Sequence, residues 1–257
     1  MLLARPLRRL RKGNKDEVAE GYCQTAKYTE EFAAMLAAEA RWIGHALAQL
    51  DIGTLSPVLN VGSSDAAFRE QVQPWIHNEI LVPLHERGAK VYNLDFRSGD
   101  GIDLHGDLTD EFFVAGLADY GFRSLLCCNL LEHVVNPAAI CARLEHLVPV
   151  GGYLIVTVPN RFPYHPDPID TMFRPDVEEI VRIFPSCRLV RGEVIGCGTG
   201  WDYVGGNLIS LVQKVKQRLA GMSENGGVKG SSSFVPWLFR EFRQSCVLLQ
   251  KNQSSGL

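Results

Sequence analysis

The hydrophobic and polar positions of this chain follow a helical pattern first and then a series of strand-like patterns. Residues 16–50 carry apolar side chains at three- and four-residue spacing, among them Phe32, Ile43 and Leu47, which predicts a helical segment that covers a core. Short apolar runs follow, and most are separated by helical stretches. We predict strands at 58–61, 89–94, 102–104, 124–128, 153–158, 187–195 and 245–250.

Strands that are apolar on both faces and are separated by helices are typical of a mostly parallel sheet with helices on each side. The pattern therefore predicts a single α/β domain over residues 16–257. Ligands of such sheets bind at the carboxyl ends of the strands. Residues 197–243 are rich in glycine and serine, and we interpret them as a lid-like insertion.

Charge separates the beginning of the chain from the rest. Residues 1–15 hold six Lys or Arg and no acidic residue, whereas the whole chain has a formal charge of -3. We interpret 1–15 as a basic, solvated tail, and the alternative is weak contact with an anionic membrane surface. The overall charge predicts no nucleic-acid partner, because phosphate binding needs a basic surface.

The seven cysteines are odd in number and contain no CxxC pair. A disulfide framework or a structural zinc site would space them differently. The amino-terminal residues lack the apolar stretch of a signal peptide. Reduced thiols and a cytoplasmic location are therefore predicted.

Polar residues that could bind a ligand follow the first four predicted strands, and the segment from Asn129 to Val134 supplies them after the fourth. Gly62 ends the first strand, and the amides and hydroxyls of Ser63 and Ser64 could bind a carboxylate, although an ordinary turn is the alternative. Asp95 ends the second strand, where a carboxylate can accept both hydroxyls of a ribose. Asp107 could accept from an adenine amino group or could instead cap the helix after it.

The order of these motifs resembles a known family. The segments are VLNVGSS at 58–64, YNLD at 92–95, Gly-Asp at 106–107, LEHV at 131–134 and GGYLIVTVPN at 151–160. Together they resemble the class I S-adenosylmethionine-dependent methyltransferases, and most closely the subgroup called methyltransferase type 11. The resemblance covers about 58–195. It implies a Rossmann-like, mostly parallel seven-stranded sheet with helices on both faces and an antiparallel last strand.

The resemblance also implies S-adenosylmethionine as the cofactor and assigns residues to it. The cofactor-binding residues would be Asn60, Gly62, Ser63, Ser64, Asp95, Phe96, Asp107, Leu108 and Asn129. Gly62 and Ser63 would lie by the methionine part, Asp95 by the ribose and Asn129 near the sulfonium. The sequence departs from the family at Asn60, where an acid is usual, and at Ser64, where a glycine is common.

Methyl transfer to a hydroxyl needs alignment of the acceptor and sometimes a base. His133 and His165 are the candidate bases, with local packing as the alternative for each. Four residues after the fifth strand are candidate acceptor contacts: Asn160, Tyr164, Asp167 and Arg174.

A metal site would need Asn129, Glu132 and His133, or His165, Asp167 and Asp170, to converge on one ion. These residues are plausible ligands, but their spacing is not diagnostic, and no metal is predicted.

The acceptor is predicted from a further resemblance. Residues 164–170 and the following Phe173-Arg174-Pro175 resemble enzymes of this subgroup found with bacterial glycan-building pathways. A sugar or glycolipid hydroxyl is therefore the expected acceptor, and a natural-product hydroxyl or a quinone-like ring stays open.

Two other classes of protein compete with a methyltransferase. A short-chain NAD-dependent reductase would need a Tyr-x-x-x-Lys pair, and no tyrosine of this chain has a lysine four residues later. A non-catalytic binding or scaffold protein with a decayed cofactor loop would explain Asn60 and Ser64. The acids at both Asp95 and Asp107 argue against that second class, because a drifting site need not keep them.

Overall fold

The computed structural model describes residues 35–165, 169–203 and 235–252. Seven strands are formed: β1 Val58–Val61, β2 Val91–Asp95, β3 Leu104–His105, β4 Ser124–Cys128, β5 Tyr153–Arg161, β6 Cys187–Thr199 and β7 Glu241–Lys251. The α-helices are α1 Ala37–Ala48, α2 Ile52–Leu55, α3 Pro74–Ile76, α4 Val82–Glu86, α5 Glu111–Leu117, α6 Pro137–Leu147, α7 Val177–Arg182 and α8 Gly200–Tyr203. Between β1 and β2, π-helical turns at Phe68–Val72 and His77–Leu81 join α3 and α4 into one irregular helical run. Short 3-10 turns lie at Ala118–Tyr120, Leu131–His133 and Val235–Leu238.

All seven strands belong to one sheet with the order β3-β2-β1-β4-β5-β7-β6. The strand pairs from β3 to β5 are parallel, and β7 runs antiparallel between β5 and β6. The predicted fold class, a mostly parallel Rossmann-like sheet with an antiparallel last strand, is confirmed.

Helices cover both faces of the sheet because successive strand residues point to opposite sides. On one face Leu59 and Val61 pack in a core that includes Leu144 of α6 and Ile180 of α7. On the other face Val58, the residue before Leu59, packs in a core with α1. The carboxyl ends of the parallel strands therefore lie at one edge between two helical layers, where ligands of such sheets bind.

The last two strands extend further than the sequence predicts. β6 continues to Thr199 and β7 begins at Glu241, so both ends of the predicted insertion, 197–243, belong to the final hairpin. The rest of the insertion, 204–234, and the predicted tail, 1–15, lie outside the described residues, as does 16–34 of the predicted helical segment.

None of the helices in the described ranges is long and apolar enough to cross a bilayer. Six cysteines fall within the described residues, and all six are free thiols. This agrees with the prediction of reduced cysteines.

Candidate functional site

A cavity of about 340 Å³ opens at the carboxyl ends of β1, β2 and β4. We call it the large cavity. All nine residues predicted to bind the cofactor line it: Asn60, Gly62, Ser63, Ser64, Asp95, Phe96, Asp107, Leu108 and Asn129. His133 lines it as well. The sheet thus brings together residues from four separate motifs of the sequence.

The turn after β1 is held by its backbone. Gly62 has a φ of 66°, and a Cβ there would lie 3.2 Å from Leu130 Cδ1, so glycine keeps this wall of the large cavity open. The Ser64 amide donates to Asp95 Oδ2 at 2.9 Å, and the Arg69 guanidinium donates to the Ser64 carbonyl. Ser64 also has a positive φ, 56°, which is unfavourable for a residue with a side chain.

Asp95 is buried at the end of β2 and faces the large cavity. Its Oδ2 accepts from Ser64, and its Oδ1 accepts from the Arg97 amide at 2.9 Å. Each carboxylate oxygen has two lone pairs, so each can accept one more hydrogen bond. The carboxylate is therefore held in place and can still bind a pair of hydroxyls.

The far end of the large cavity carries Asp107, Leu108 and Phe96. Asp107 Oδ1 accepts from the Thr109 amide at 2.7 Å. The alternative role for Asp107, capping α5, is wrong, because Asp110 is the N-cap and accepts from the Phe112 and Phe113 amides. Asp107 is exposed and lies in the wall of the cavity.

Asn129 is joined to a network that the sequence analysis missed. Its Nδ2 donates to both oxygens of Glu39 in α1, at 3.0 and 3.2 Å, and its Oδ1 accepts from Gln244 in β7. Glu39 also accepts from Thr157 Oγ1 at 2.5 Å and from the Leu36 amide. We call Glu39, Asn129, Thr157 and Gln244 the Glu39 network.

Burial raises the pKa of Glu39, although the donors around it lower the pKa in part. A signal was present in the sequence, because Glu39 lies four residues before Ile43 and so falls on the apolar stripe of α1.

A second polar group lies next to the network. Glu132 is fully buried in the turn after β4, and neither of its carboxylate oxygens has a hydrogen-bond partner among the described residues. Glu132 Oε1 lies 3.8 Å from His133 Nε2 and 4.0 Å from His165 Nε2. Burial raises the pKa of Glu132 to about 8. We call Glu132, His133 and His165 the Glu132 cluster.

The other ring nitrogen of each histidine faces acceptors. His133 Nδ1 lies 2.5 Å from the Ile169 carbonyl, and His165 Nδ1 lies 3.0 Å from the Pro163 carbonyl and 3.2 Å from Asp170 Oδ2. A carbonyl only accepts hydrogen bonds, so Nδ1 carries the hydrogen in both rings. In the neutral state each Nε2 therefore presents a lone pair to Glu132. Burial also lowers the pKa of His165, which favours its neutral form.

The three predicted acceptor contacts within the described residues, Asn160, Tyr164 and Arg174, do not line the large cavity. Both terminal nitrogens of Arg174 are bonded to Asp170, at 3.1 and 2.6 Å. Burial raises the pKa of Asp170, but hydrogen bonds from Arg174 and from two backbone amides outweigh burial and lower it. Asn160 donates to the Pro175 carbonyl at 3.3 Å, and Tyr164 is exposed. Asp167 lies outside the described residues.

A small cavity of about 10 Å³ lies between the Glu39 network and the Glu132 cluster. Glu132 and His165 line it, together with Asn129 and Gln244. Asn129 lines the large cavity too. Asn129 therefore stands between His165 and the space that the predicted cofactor residues enclose.

Comparison with known proteins gave few matches in sequence. No family model matches the chain. A curated protein, ubiquinone biosynthesis O-methyltransferase from Aromatoleum aromaticum, is 29% identical over 105 residues, which are 40% of this chain and 44% of that protein. The match thus spans less than half the length of this relative.

Solved structures are similar to the chain at low sequence identity. A SAM-dependent methyltransferase from Archaeoglobus fulgidus has 13% identity and a TM-score of 0.48, covering 82% of this chain and 94% of that one. Coclaurine N-methyltransferase bound to N-methylheliamine and SAH has 14% identity and a TM-score of 0.45, covering 93% and 89%.

The topology and the motifs agree with each other. The sheet has seven strands, its last strand is antiparallel, and the residues that carry the family resemblance meet at the carboxyl ends of its parallel strands. The chain therefore has the fold of the class I S-adenosylmethionine-dependent methyltransferases.

Proposed function

We propose that this protein binds S-adenosylmethionine in the large cavity and transfers its methyl group to a hydroxyl of a small-molecule or glycan acceptor. The observation that carries the proposal is the convergence of all nine predicted cofactor residues on one cavity of about 340 Å³. That volume falls in the range of small-molecule sites.

The residues present fit this cofactor. Asp95 is fixed by two backbone amides and keeps lone pairs for the ribose hydroxyls. Gly62 leaves room by Leu130 for close approach of the ligand to the backbone. Asn60 takes the place of the usual acid and is itself bonded to Asn93 Oδ1 at 3.0 Å, so it supports the loop without adding charge.

S-adenosylmethionine supplies a methyl group that the sulfonium already activates, so the protein has to align the acceptor and help to remove its proton. His133 is suited to removing the proton because it lines the large cavity and because its Nε2 atom carries a free lone pair in the neutral ring. His165 would act on His133 indirectly, through Glu132, which lies near both rings. Tyr164 and Asp167 remain the proposed acceptor contacts of the loop after β5.

Two acceptors are proposed in order. The first is a sugar or glycolipid hydroxyl, supported by the resemblance of residues 164–175 to glycan-pathway enzymes. The second is a hydroxyl on a quinone-like ring, favoured by the name of the curated relative, a ubiquinone biosynthesis O-methyltransferase.

Calorimetric titration tests the cofactor first. We expect saturable micromolar binding of S-adenosylmethionine and no binding of NADH. Asp95→Ala should weaken this binding at least about tenfold, because hydrogen bonds to a charged group contribute about 1.5–3 kcal/mol. Asp119→Ala, at an exposed position outside the cavity, is the matched control and should bind like the wild type.

Other outcomes would contradict the proposal. If neither compound binds, the scaffold alternative takes first place, and binding of NADH would mean a different enzyme class. Equal affinity of Asp95→Ala and the wild type would remove Asp95 from the site. Once binding is established, transfer of a labelled methyl group to a panel of sugars, glycolipids and hydroxylated quinones identifies the acceptor.

We also propose that the protein works in the cytoplasm and that residues 1–15 make weak contact with anionic membranes. Six basic side chains could add about 1 kcal/mol each at best. Sedimentation with anionic vesicles, with and without residues 1–15, tests the contact. Equal and negligible binding of both proteins would contradict it.

A further inference from the structure

The polar atoms of the Glu132 cluster face one another without a hydrogen-bond donor from the described residues between them. One oxygen of Glu132 and one ring nitrogen each of His133 and His165 lie within 4.8 Å of one another. A buried carboxylate without a hydrogen bond costs several kcal/mol of folding free energy, so a native protein normally provides a partner. No donor from the described residues fills that place.

The two histidines cannot be those partners in their neutral form. Their Nδ1 hydrogens point to the Ile169 and Pro163 carbonyls, so both Nε2 atoms present lone pairs to Glu132. Three acceptors therefore face one point. Something positive has to lie between them.

A proton does not satisfy this arrangement. A proton on Glu132 or on one of the two histidines would pair only two of the three atoms and would leave the third without a partner. The separations of 3.8 and 4.0 Å also exceed the roughly 2.6–3.2 Å of a hydrogen bond. A divalent cation can bind all three atoms at once.

We propose that Glu132, His133 and His165 bind one first-row divalent cation of the zinc type. Two imidazole nitrogens and one carboxylate oxygen are the protein ligands of several catalytic zinc sites. Bonds of about 2.0–2.2 Å place such ligand atoms roughly 3.4 Å apart. The two separations from Glu132 Oε1 therefore have to shorten by roughly 0.5 Å, and the separation between the histidine nitrogens by at most about 1.4 Å.

The surroundings of the cluster support this assignment. Ligating histidines almost always donate their other N–H to a carbonyl or a carboxylate, which fixes the ring and strengthens the ligand. His133 does so to Ile169, and His165 faces both Pro163 and Asp170. Asp170 is held in turn by Arg174, whose side chain is 11% exposed.

The position of the cluster suggests what the cation does, a step that rests on the proposed function. His133 lines the large cavity, while Glu132 and His165 line the small one. Three protein ligands leave a coordination position for the acceptor oxygen, whose proton is lost more easily when a cation binds it. The proton passes to water, the O–CH3 bond forms as the S–CH3 bond breaks, and S-adenosylhomocysteine leaves. With the cation bound, His133 and His165 are its ligands, and the role of His133 as a base applies only to the cation-free site.

Metal binding can be tested without any activity assay. Tag-free protein is stripped with a chelator, dialysed against Co2+ and examined by visible absorption and elemental analysis. We expect one Co2+ per chain with d–d bands of low coordination number. Glu132→Gln and His165→Gln should each weaken Co2+ binding at least about tenfold. His146→Gln, which changes an exposed histidine that bonds within α6, should bind like the wild type.

The result that would overturn the site is stripped wild-type protein that binds no Co2+. Equal Co2+ affinity in the wild type and in folded His165→Gln would overturn it as well. Titration of the same samples with S-adenosylmethionine keeps the two proposals apart, because cofactor binding without Co2+ binding removes only the metal. If His165→Gln does not fold, His133→Gln takes its place, and the wild-type result still decides.

Discussion

Two fully buried glutamates lie close to the same edge of the sheet and differ in their partners. Glu39 accepts hydrogen bonds from Thr157, Asn129 and a backbone amide. Glu132 accepts none on its carboxylate from any described residue and faces His133 and His165. Burial raises the pKa of both carboxyl groups, so burial alone does not separate them.

The difference in partners distinguishes a carboxylate that stabilises the fold from a carboxylate that belongs to a ligand site. The donors around Glu39 come from α1, β5 and the turn after β4, so the glutamate joins elements of the fold. Around Glu132 the neighbours are acceptors that are themselves held in place. A satisfied group contributes to stability, whereas an unsatisfied group held among fixed ligands costs stability and indicates a missing partner.

Removal of Glu39 should have the largest effect on stability. Glu39→Ala leaves the buried hydroxyl of Thr157 and the partly buried amide of Asn129 without a partner, and we expect a loss of about 3 kcal/mol in the free energy of unfolding. Urea denaturation measures it, with the exposed Glu86→Ala as control. A loss no larger than that of the control would mean that the network is not structural.

The pH dependence of stability should reveal the same carboxyl group. The folded-state pKa of Glu39 is raised, so its stabilising effect is complete below the unfolded pKa of about 4.5 and is lost as the pH rises to the folded value. The Glu39→Gln protein lacks this loss. Its free energy of unfolding relative to that of the wild type should therefore rise by up to about 1.4 kcal/mol per pH unit in that interval. Urea denaturation from pH 4 to 7 measures the gain, and parallel curves for the two proteins would contradict it.

The opposite behaviour is expected at Glu132. In chelator-stripped protein Glu132→Leu removes an unpaired acid, so the free energy of unfolding should rise or change by less than about 1 kcal/mol. The comparison with Glu39→Ala is direct because both side chains are fully buried. A loss as large as that of Glu39→Ala would mean that Glu132 has partners of its own.

The smallest effect concerns Ser64 in the turn after β1. Its N–H and C=O are both paired, with Asp95 and Arg69, but its φ of 56° is strained. Ser64→Gly keeps both backbone contacts and should stabilise the protein by about 0.5–1 kcal/mol, with little change in cofactor affinity. Thermal unfolding measures it, and a lower melting temperature would mean that the hydroxyl has a role.

The sequence predicted the fold and the large cavity because both depend on local patterns. Each predicted cofactor residue lies at the carboxyl end of a strand or within a few positions after it. Parallel strands place these ends at one edge whatever their spacing along the chain. Asp95 and Asn129 could therefore be located without knowledge of long-range contacts. Asp107 shows the limit, since Asp110 was an equally suitable cap and only the backbone decides between them.

The two glutamate groups could not be predicted in the same way. Glu39 and Thr157 are 118 residues apart, and Asn129 and Gln244 are 115 apart. The Glu132 cluster depends on a fold-back of the loop after β5 that brings His165 to the turn after β4. Such contacts follow from tertiary packing, and no spacing in one sequence encodes them.

The place of β7 between β5 and β6 has a consequence for biosynthesis. Until Gln244 has left the ribosome, β5 lacks one of its two neighbouring strands and Asn129 lacks one partner of its side chain. A nascent chain can form β1 to β4 with their helices as it emerges, since the amino-terminal part of a domain is synthesised first. The site at the carboxyl ends of the parallel strands is complete only after the last strand has been added. An interrupted translation product would therefore carry the cofactor motifs without a complete site.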